Sequence, residues 1–177
     1  MKFFELCFDL DNYENLQLSK EASVEYYQMF DGRKLRESWL NPEVKRMEPE
    51  EGKKLGDAPG FNIPVFNKRA IDVLLPLIED DIEILPLEFE GGELYGINVI
   101  TVLDAVDYNL SEYVTFRDGK RIMAFRKYAF KKDVIYGKNI FKIIDERLRY
   151  AFVSEKFYDL VKEHELEGFK MEYVCDI

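Results

Sequence analysis

At 177 residues, with 47% apolar and 34% charged side chains, the chain is about one domain's worth of ordinary globular sequence. Fourteen Phe and eleven Tyr supply a core without help from metal or disulfide, and two cysteines exclude a disulfide framework or a zinc knuckle. The net charge of −10 argues against a general phosphate-backbone binder, and apolar runs as short as Val73–Ile78 exclude a membrane-spanning helix.

The opening residues read as a first strand over 2–10 rather than a leader, because Glu5, Asp9 and Asp11 interrupt any apolar run. The expectation is one cytoplasmic domain over 1–177. Residues 22–30 are rich in β-formers and meet Asp31-Gly32, which predicts a strand and a tight turn into Arg33-Lys34-Leu35, with a short helix over Gly32–Trp39 as the alternative to that turn. Residues 41–64 are dense in Pro, Gly, Glu and Lys and read as a long exposed loop. Asn67 is placed to cap a helix whose Ala70, Ile71, Leu74, Leu75 and Ile78 share one face, with Pro76 expected to kink or end it near Leu75. Strands are predicted over Ile82–Phe89 and Leu94–Leu103, joined by a Glu90–Glu93 turn. Two hairpins come next, one around Arg117–Lys120 and one around Asp145–Arg147. Ser154 is the predicted cap of a helix over Glu155–Glu165, and Gly168 the left-handed stop that releases a last strand, Phe169–Cys175. The fold class read from this order is α+β, a mostly antiparallel sheet with two principal helices packed on it. Its predicted core sets Phe116, Ile122, Phe141, Ile143, Tyr150 and Phe152 on one sheet face against Leu74, Ile78, Phe157 and Val161.

Little in this sequence can carry catalysis. His164 is the single histidine, its neighbours Glu163 and Glu165 do not share its helical face, and Asp159 lies five residues back, so no zinc site or His-carboxylate relay is written locally. Cys7 and Cys175 sit in predicted strands, where a thiol is a small hydrophobe. Asp80, Asp81 and Glu83 lack the spacing of a calcium loop. The expectation is therefore no catalytic residue, no metal and no cofactor.

Charge is segregated along the chain. Residues 61–113 hold 2 Lys/Arg against 11 Asp/Glu, and residues 114–149 hold 11 against 4. The acidic block crowds Glu79, Asp80, Asp81, Glu83, Glu88, Glu90 and Glu93 around a helix end, a strand and its turn, with Phe89 and Tyr95 as aromatic anchors. That pattern suits a surface for a basic protein partner; a solvated face and internal pairing between the two blocks are the alternatives. The basic block interleaves Arg117, Arg121, Arg126 and Lys127 with Phe116, Phe125 and Tyr128, a pattern shared by single-strand nucleic-acid grooves and by any hairpin with one core face. The overall excess of carboxylates weighs toward the hairpin.

Taken in order, Lys68-Arg69-Ala70, Leu74–Leu77, Ile84–Leu87, Tyr95–Val99, Leu103–Asp107, Ile140–Lys142, Ala151–Phe157 and Leu166–Phe169 resemble a family of bacterial polymorphic-toxin immunity proteins, over roughly residues 60–175. The resemblance implies an α+β cytosolic protein that binds and neutralises a toxin domain encoded beside it, often a nuclease, without catalytic residues of its own. The acidic and aromatic set above then becomes the expected toxin-binding surface. A small enzyme acting on a small molecule or RNA is the competing class, and a deep pocket holding a strongly shifted acid or base would mark it.

Overall fold

The computed structural model describes residues 1–20, 24–47 and 53–177. The first strand, β1 (Lys2–Phe8), alternates its side chains between two buried sides and lies second from the edge of a five-stranded sheet. After β2 (Leu16–Leu18) comes a helix, α1 (Val24–Gln28), in place of the strand expected over 22–30, of which residues 22 and 23 lie outside the described residues. Tertiary packing overrides β-propensity here. Tyr26, Phe30 and Trp39 bring their rings within about 6 Å of one another, and a helical turn delivers the first two to that cluster. The short helix anticipated after Gly32 is a single 3-10 turn, Arg36–Ser38.

Of residues 41–64, expected as an exposed loop, 48–52 lie outside the described residues, and the rest is largely built in. It supplies β3 (Val44–Arg46), which pairs with β2, and it buries Asp57, Ala58, Pro59, Gly60 and Ile63. Asp57 explains why. Its buried carboxylate accepts bonds from Asn67 Nδ2 (2.9 Å), Arg69 Nη1 (2.7 Å) and the Glu167 amide (2.8 Å), tying the segment to a helix start and to the turn before the last strand.

Next, β4 (Val65–Asn67) runs into α2 (Lys68–Ile78), and Asn67 caps it by accepting from the Ala70 amide. Pro76 does not end this helix. The proline, in the last turn, lacks the N–H that would reach Asp72, and both residues face solvent, where water can take the freed carbonyl. The hairpin of β5 (Ile82–Leu87) and β6 (Leu94–Val99) forms around the predicted turn and joins β4 in a three-stranded sheet, but the strand expected to run on to Leu103 breaks after Val99. The chain then crosses to the larger sheet through β7 (Val102–Leu103), leaves for the two-stranded hairpin β8 (Glu112–Thr115) and β9 (Ile122–Lys127), and passes a short helix, α3 (Lys132–Ile135). It returns as β10 (Ile140–Ile143) and β11 (Phe152–Ser154), then continues into α4 (Glu155–Glu163) and β12 (Phe169–Asp176). Ser154 caps α4 by accepting from the Phe157 amide. The left-handed stop falls earlier than expected: Glu165, at φ 48°, ends α4, with the Glu165 amide bonded to the Lys162 carbonyl (3.1 Å) and the Leu166 amide to the Val161 carbonyl (2.9 Å). Gly168, at φ 88°, instead turns the chain into β12, and a Cβ there would lie 2.5 Å from the Ala58 carbonyl oxygen.

The class is thus roughly α+β and mostly sheet, but the strands form several small sheets rather than one. The large sheet runs β12-β1-β11-β10-β7, antiparallel except at β10 and β7. Its two faces are covered by different cores. Phe4, Leu6, Ile140 and Val153 meet Leu74 and Ile78 of α2 and Phe157 and Val161 of α4 on one side. Phe3, Phe141, Ile143 and Phe152 meet Phe130, Ala105 and Ile135 on the other. The predicted single face is corrected accordingly: Phe141 and Phe152 lie across the sheet from the helices, Phe116 and Tyr150 are exposed, and Ile122 belongs to the separate hairpin. A third core, around Leu16, Leu35, Val65 and Leu85, lies beneath the β5–β6 hairpin.

Candidate functional site

The nine residues expected to form an acidic and aromatic surface divide into three groups. Asp81 and Glu83 are buried and committed internally. Asp81 accepts from Thr101 Oγ1 (2.5 Å) and Lys138 Nζ (2.7 Å), so here the acidic and basic blocks do pair with each other. Glu83 accepts from the Leu35 amide (2.6 Å) and Asn98 Nδ2 (3.0 Å), fixing the chain after Gly32 against β5. Neither carboxylate is available to a partner. Glu79 and Asp80 are exposed in the 3-10 turn that closes α2.

The other five residues share the β5–β6 turn. Glu88, Glu90 and Glu93 are exposed, with Phe89 and Tyr95 half-buried among them. The turn is extended by a neighbour that sequence reading does not supply. Glu88 exchanges backbone bonds with the 42–44 segment (Val44 amide to Glu88 carbonyl 2.8 Å, Glu88 amide to Pro42 carbonyl 3.0 Å), which brings Glu43 alongside Glu88. The Phe89 ring folds over Gly91, where a Cβ would stand 2.4 Å from it, so only glycine permits that placement. Three shallow depressions meet at this ring, lined by Lys45 and Arg46 on one side, Lys68 and Arg69 on another, and Pro86 and Tyr95 on the third. Of these cations Arg46 pairs with Glu14, Lys68 with Asp72 and Arg69 with Asp57. Glu43, Glu88 and Glu90 have no ion-pair partner among the described residues. Tyr95 donates to Glu93 (3.2 Å), and desolvation together with that carboxylate pushes its phenol above the ordinary range.

A second surface is the one sequence reading misses. The β8–β9 hairpin and the 144–149 segment enclose an open groove of about 630 Å³ lined by Ile122, Met123, Ile144 and Leu148 with Arg33, Arg147 and Arg149. A depression of about 520 Å³ beside it holds Tyr108, Tyr113 and Phe116. Several of these are large apolar groups left in water: Leu148 is 57% exposed, Met123 48% and Phe116 44%. Exposed aromatic, Met and Arg side chains are enriched at protein interfaces, although Asp31, Asp145, Glu146 and Lys120 also line these two depressions. A parity clue is present in the sequence, since Tyr113 and Met123 place apolar residues on the strand faces opposite Val114 and Ile122. One wall is anchored from inside by Lys142, whose buried ammonium donates to the carbonyls of Phe30 (2.6 Å) and Arg147 (3.0 Å). Desolvation lowers its pKa to about 8.

The remaining chemistry-bearing groups are dispersed. His164 is exposed at the end of α4, with its carbonyl accepting from Arg69 Nη2 (2.6 Å). Burial pushes the Cys7 thiol up to about 12 and raises that of Cys175, the reverse of an activated nucleophile. Among the described residues no group of three His, Cys, Asp or Glu is placed to hold a metal ion, and no helix is long and apolar enough to cross a membrane.

Comparison with known protein families decides the class. A family model described as Immunity protein family (Imm11) matches residues 84–176, just over half of the chain. The chain belongs to the Imm11 immunity protein family. The matched span starts within β5 and ends with β12, so it includes the β5–β6 turn, the β8–β9 hairpin and most of the five-stranded sheet. The resemblance read from sequence begins earlier, near residue 60, and agrees on the family. No curated protein matches the chain.

Proposed function

We propose that this Imm11 family member binds a cognate bacterial toxin domain in the cytoplasm and neutralises it by occupying its working surface, without catalysis. The reading is supported by the family match together with a turn where unpaired carboxylates surround one aromatic ring. Glu88, Phe89, Glu90, Glu93 and Tyr95 form the contact, extended by Glu43, with Glu79 and Asp80 as outlying charge. A basic toxin fits this surface, and a nuclease is the natural chemistry, because an enzyme that holds phosphate must present cations that carboxylates can cover.

Co-expression with the toxin domain encoded beside it tests the function: the full chain should relieve growth arrest and co-purify with the toxin in fixed stoichiometry. Growth arrest unchanged by the chain would overturn the reading.

A second reading of the contact is favoured by the exposed Tyr113, Phe116, Met123 and Leu148. Interface affinity concentrates in buried aromatic and Arg anchors, which this groove supplies more densely than the acidic turn. Phe89→Ala and Leu148→Asp, assayed side by side for toxin affinity, separate the two surfaces. The larger loss identifies the docking face.

A further inference from the structure

The five-stranded sheet ends in an open edge. Leu6 of β1 donates its amide to Ala151 (2.9 Å), so its backbone turns toward β11 and away from β12. Leu6 stands opposite Met171, which makes this a pair without mutual hydrogen bonds and turns the Met171 amide and carbonyl outward. By alternation those of Phe169 and Tyr173 point the same way. Outside the β1 ladder, no backbone bond from these three residues to any other described residue is present. Beyond Tyr173 the register slips opposite Phe3 and Phe4, and the extra residue, Val174, bends the strand. The regular free edge is therefore Phe169 to Tyr173, centred on Met171.

We propose that this edge pairs with the same edge of a second copy of the chain, antiparallel across a two-fold axis through Met171, joining two five-stranded sheets into one. The charges select this register. With Met171 opposite its symmetry mate, Phe169 faces Tyr173 in the hydrogen-bonded positions. Lys170 faces Glu172, twice, in the closer non-hydrogen-bonded positions. Both side chains are exposed, and within one copy they already lie 3.4 Å apart on one face of the strand. A lysine on an edge strand ordinarily deters pairing, and here the partner's glutamate answers it. An isologous contact needs such self-complementarity, and a register shifted by two residues would lose it. Five residues of strand edge make a small interface, so the dimer is a weak, concentration-dependent one. This inference does not depend on the identity of any toxin.

Sedimentation velocity of the full chain from about 5 to about 500 µM, the range suited to small transient interfaces, measures it. The wild-type chain should shift from monomer toward dimer across that range. Lys170→Glu sets Glu against Glu and Glu172→Lys sets Lys against Lys, so each alone should weaken association at least about tenfold. The double exchange should restore it. An equimolar mixture of the two single variants should also dimerise, because every facing pair in the mixed dimer is again Lys against Glu. Circular dichroism melts of the variants confirm that both exposed substitutions leave the fold intact. A wild-type chain monomeric throughout, a dimer indifferent to the single reversals, or a mixture that stays monomeric would each overturn the proposal.

Discussion

Lys142 shows what a single buried group contributes. The residue is 5% exposed and its ammonium is met by two carbonyl oxygens, with no carboxylate in bonding range among the described residues. The folded state therefore holds the charged form at a cost that the unfolded chain does not bear. With a folded pKa of about 8 and an ordinary value near 10.5, the unfolded chain binds more protons between those limits, so stability rises with pH there. Below pH 8 the penalty is fully present. Above about pH 9 the raised thiols of Cys7 and Cys175 act in the opposite sense, since the unfolded thiols ionise first. Urea melts should accordingly show wild-type stability gaining roughly 1 kcal/mol between about pH 7.5 and 9 relative to Lys142→Met. Equal pH slopes for the two proteins would show that Lys142 is not desolvated as described. Nothing in the sequence distinguishes this lysine from Lys138, four residues earlier, which is partly exposed and paired with Asp81. For the same reason the sequence does not separate Asp81 and Glu83 from Glu88 and Glu90: which carboxylates turn inward is decided by Thr101, Lys138, Leu35 and Asn98, all distant in the chain.

At the level of elements, local signals are reliable and alternation is ambiguous. Caps at Asn67 and Ser154 and the β5–β6 turn are legible because each depends on a few adjacent residues, whereas the stop of α4 falls on Glu165, a residue type that does not announce a left-handed backbone, and not on Gly168. A sheet buried on both faces gives no unique answer to which parity meets the helices, and hence periodicity alone puts Phe141 and Phe152 in the wrong core. The corrected assignment is testable by mutation. Leu74→Ala and Phe152→Ala should each cost about 2–5 kcal/mol by lost burial plus a cavity. Because they belong to different cores, their double variant should equal the sum within about 0.5 kcal/mol in urea melts, whereas a shared core would give a clear coupling term. Asp57→Ala should cost about 2–3 kcal/mol, since charged hydrogen bonds to Asn67, Arg69 and Glu167 disappear together. The sequence reading of a free loop predicts almost no effect, so a urea midpoint near wild type would reinstate it.

On the scale of the whole molecule, the division between an acidic block and a basic one is only partly expressed at the surface. Asp81 and Lys138 cancel each other inside, while Glu43, Glu88 and Glu90 remain without ion-pair partners among the described residues around Phe89. Like charges held together in this way raise the free energy of the folded chain, and a basic partner lowers it on binding. Exposed carboxylates at a rim act mainly on the encounter, while an aromatic ring seated in a partner's pocket acts on residence. Glu88→Lys with Glu90→Lys should therefore slow association with the cognate toxin at low ionic strength and flatten its salt dependence. Phe89→Ala should leave association nearly unchanged and speed dissociation. The melting temperature should shift little in the charge variant, because neither glutamate makes an ion pair or a side-chain hydrogen bond among the described residues. Surface-based kinetics between about 20 and 300 mM salt span the change in screening length, to roughly 8 Å at physiological strength, over which rim charges lose their reach. An association rate and salt slope unaltered by the charge reversal would transfer the toxin contact to the groove of Met123 and Leu148, where the same experiment on Leu148→Asp would then show the loss in residence time.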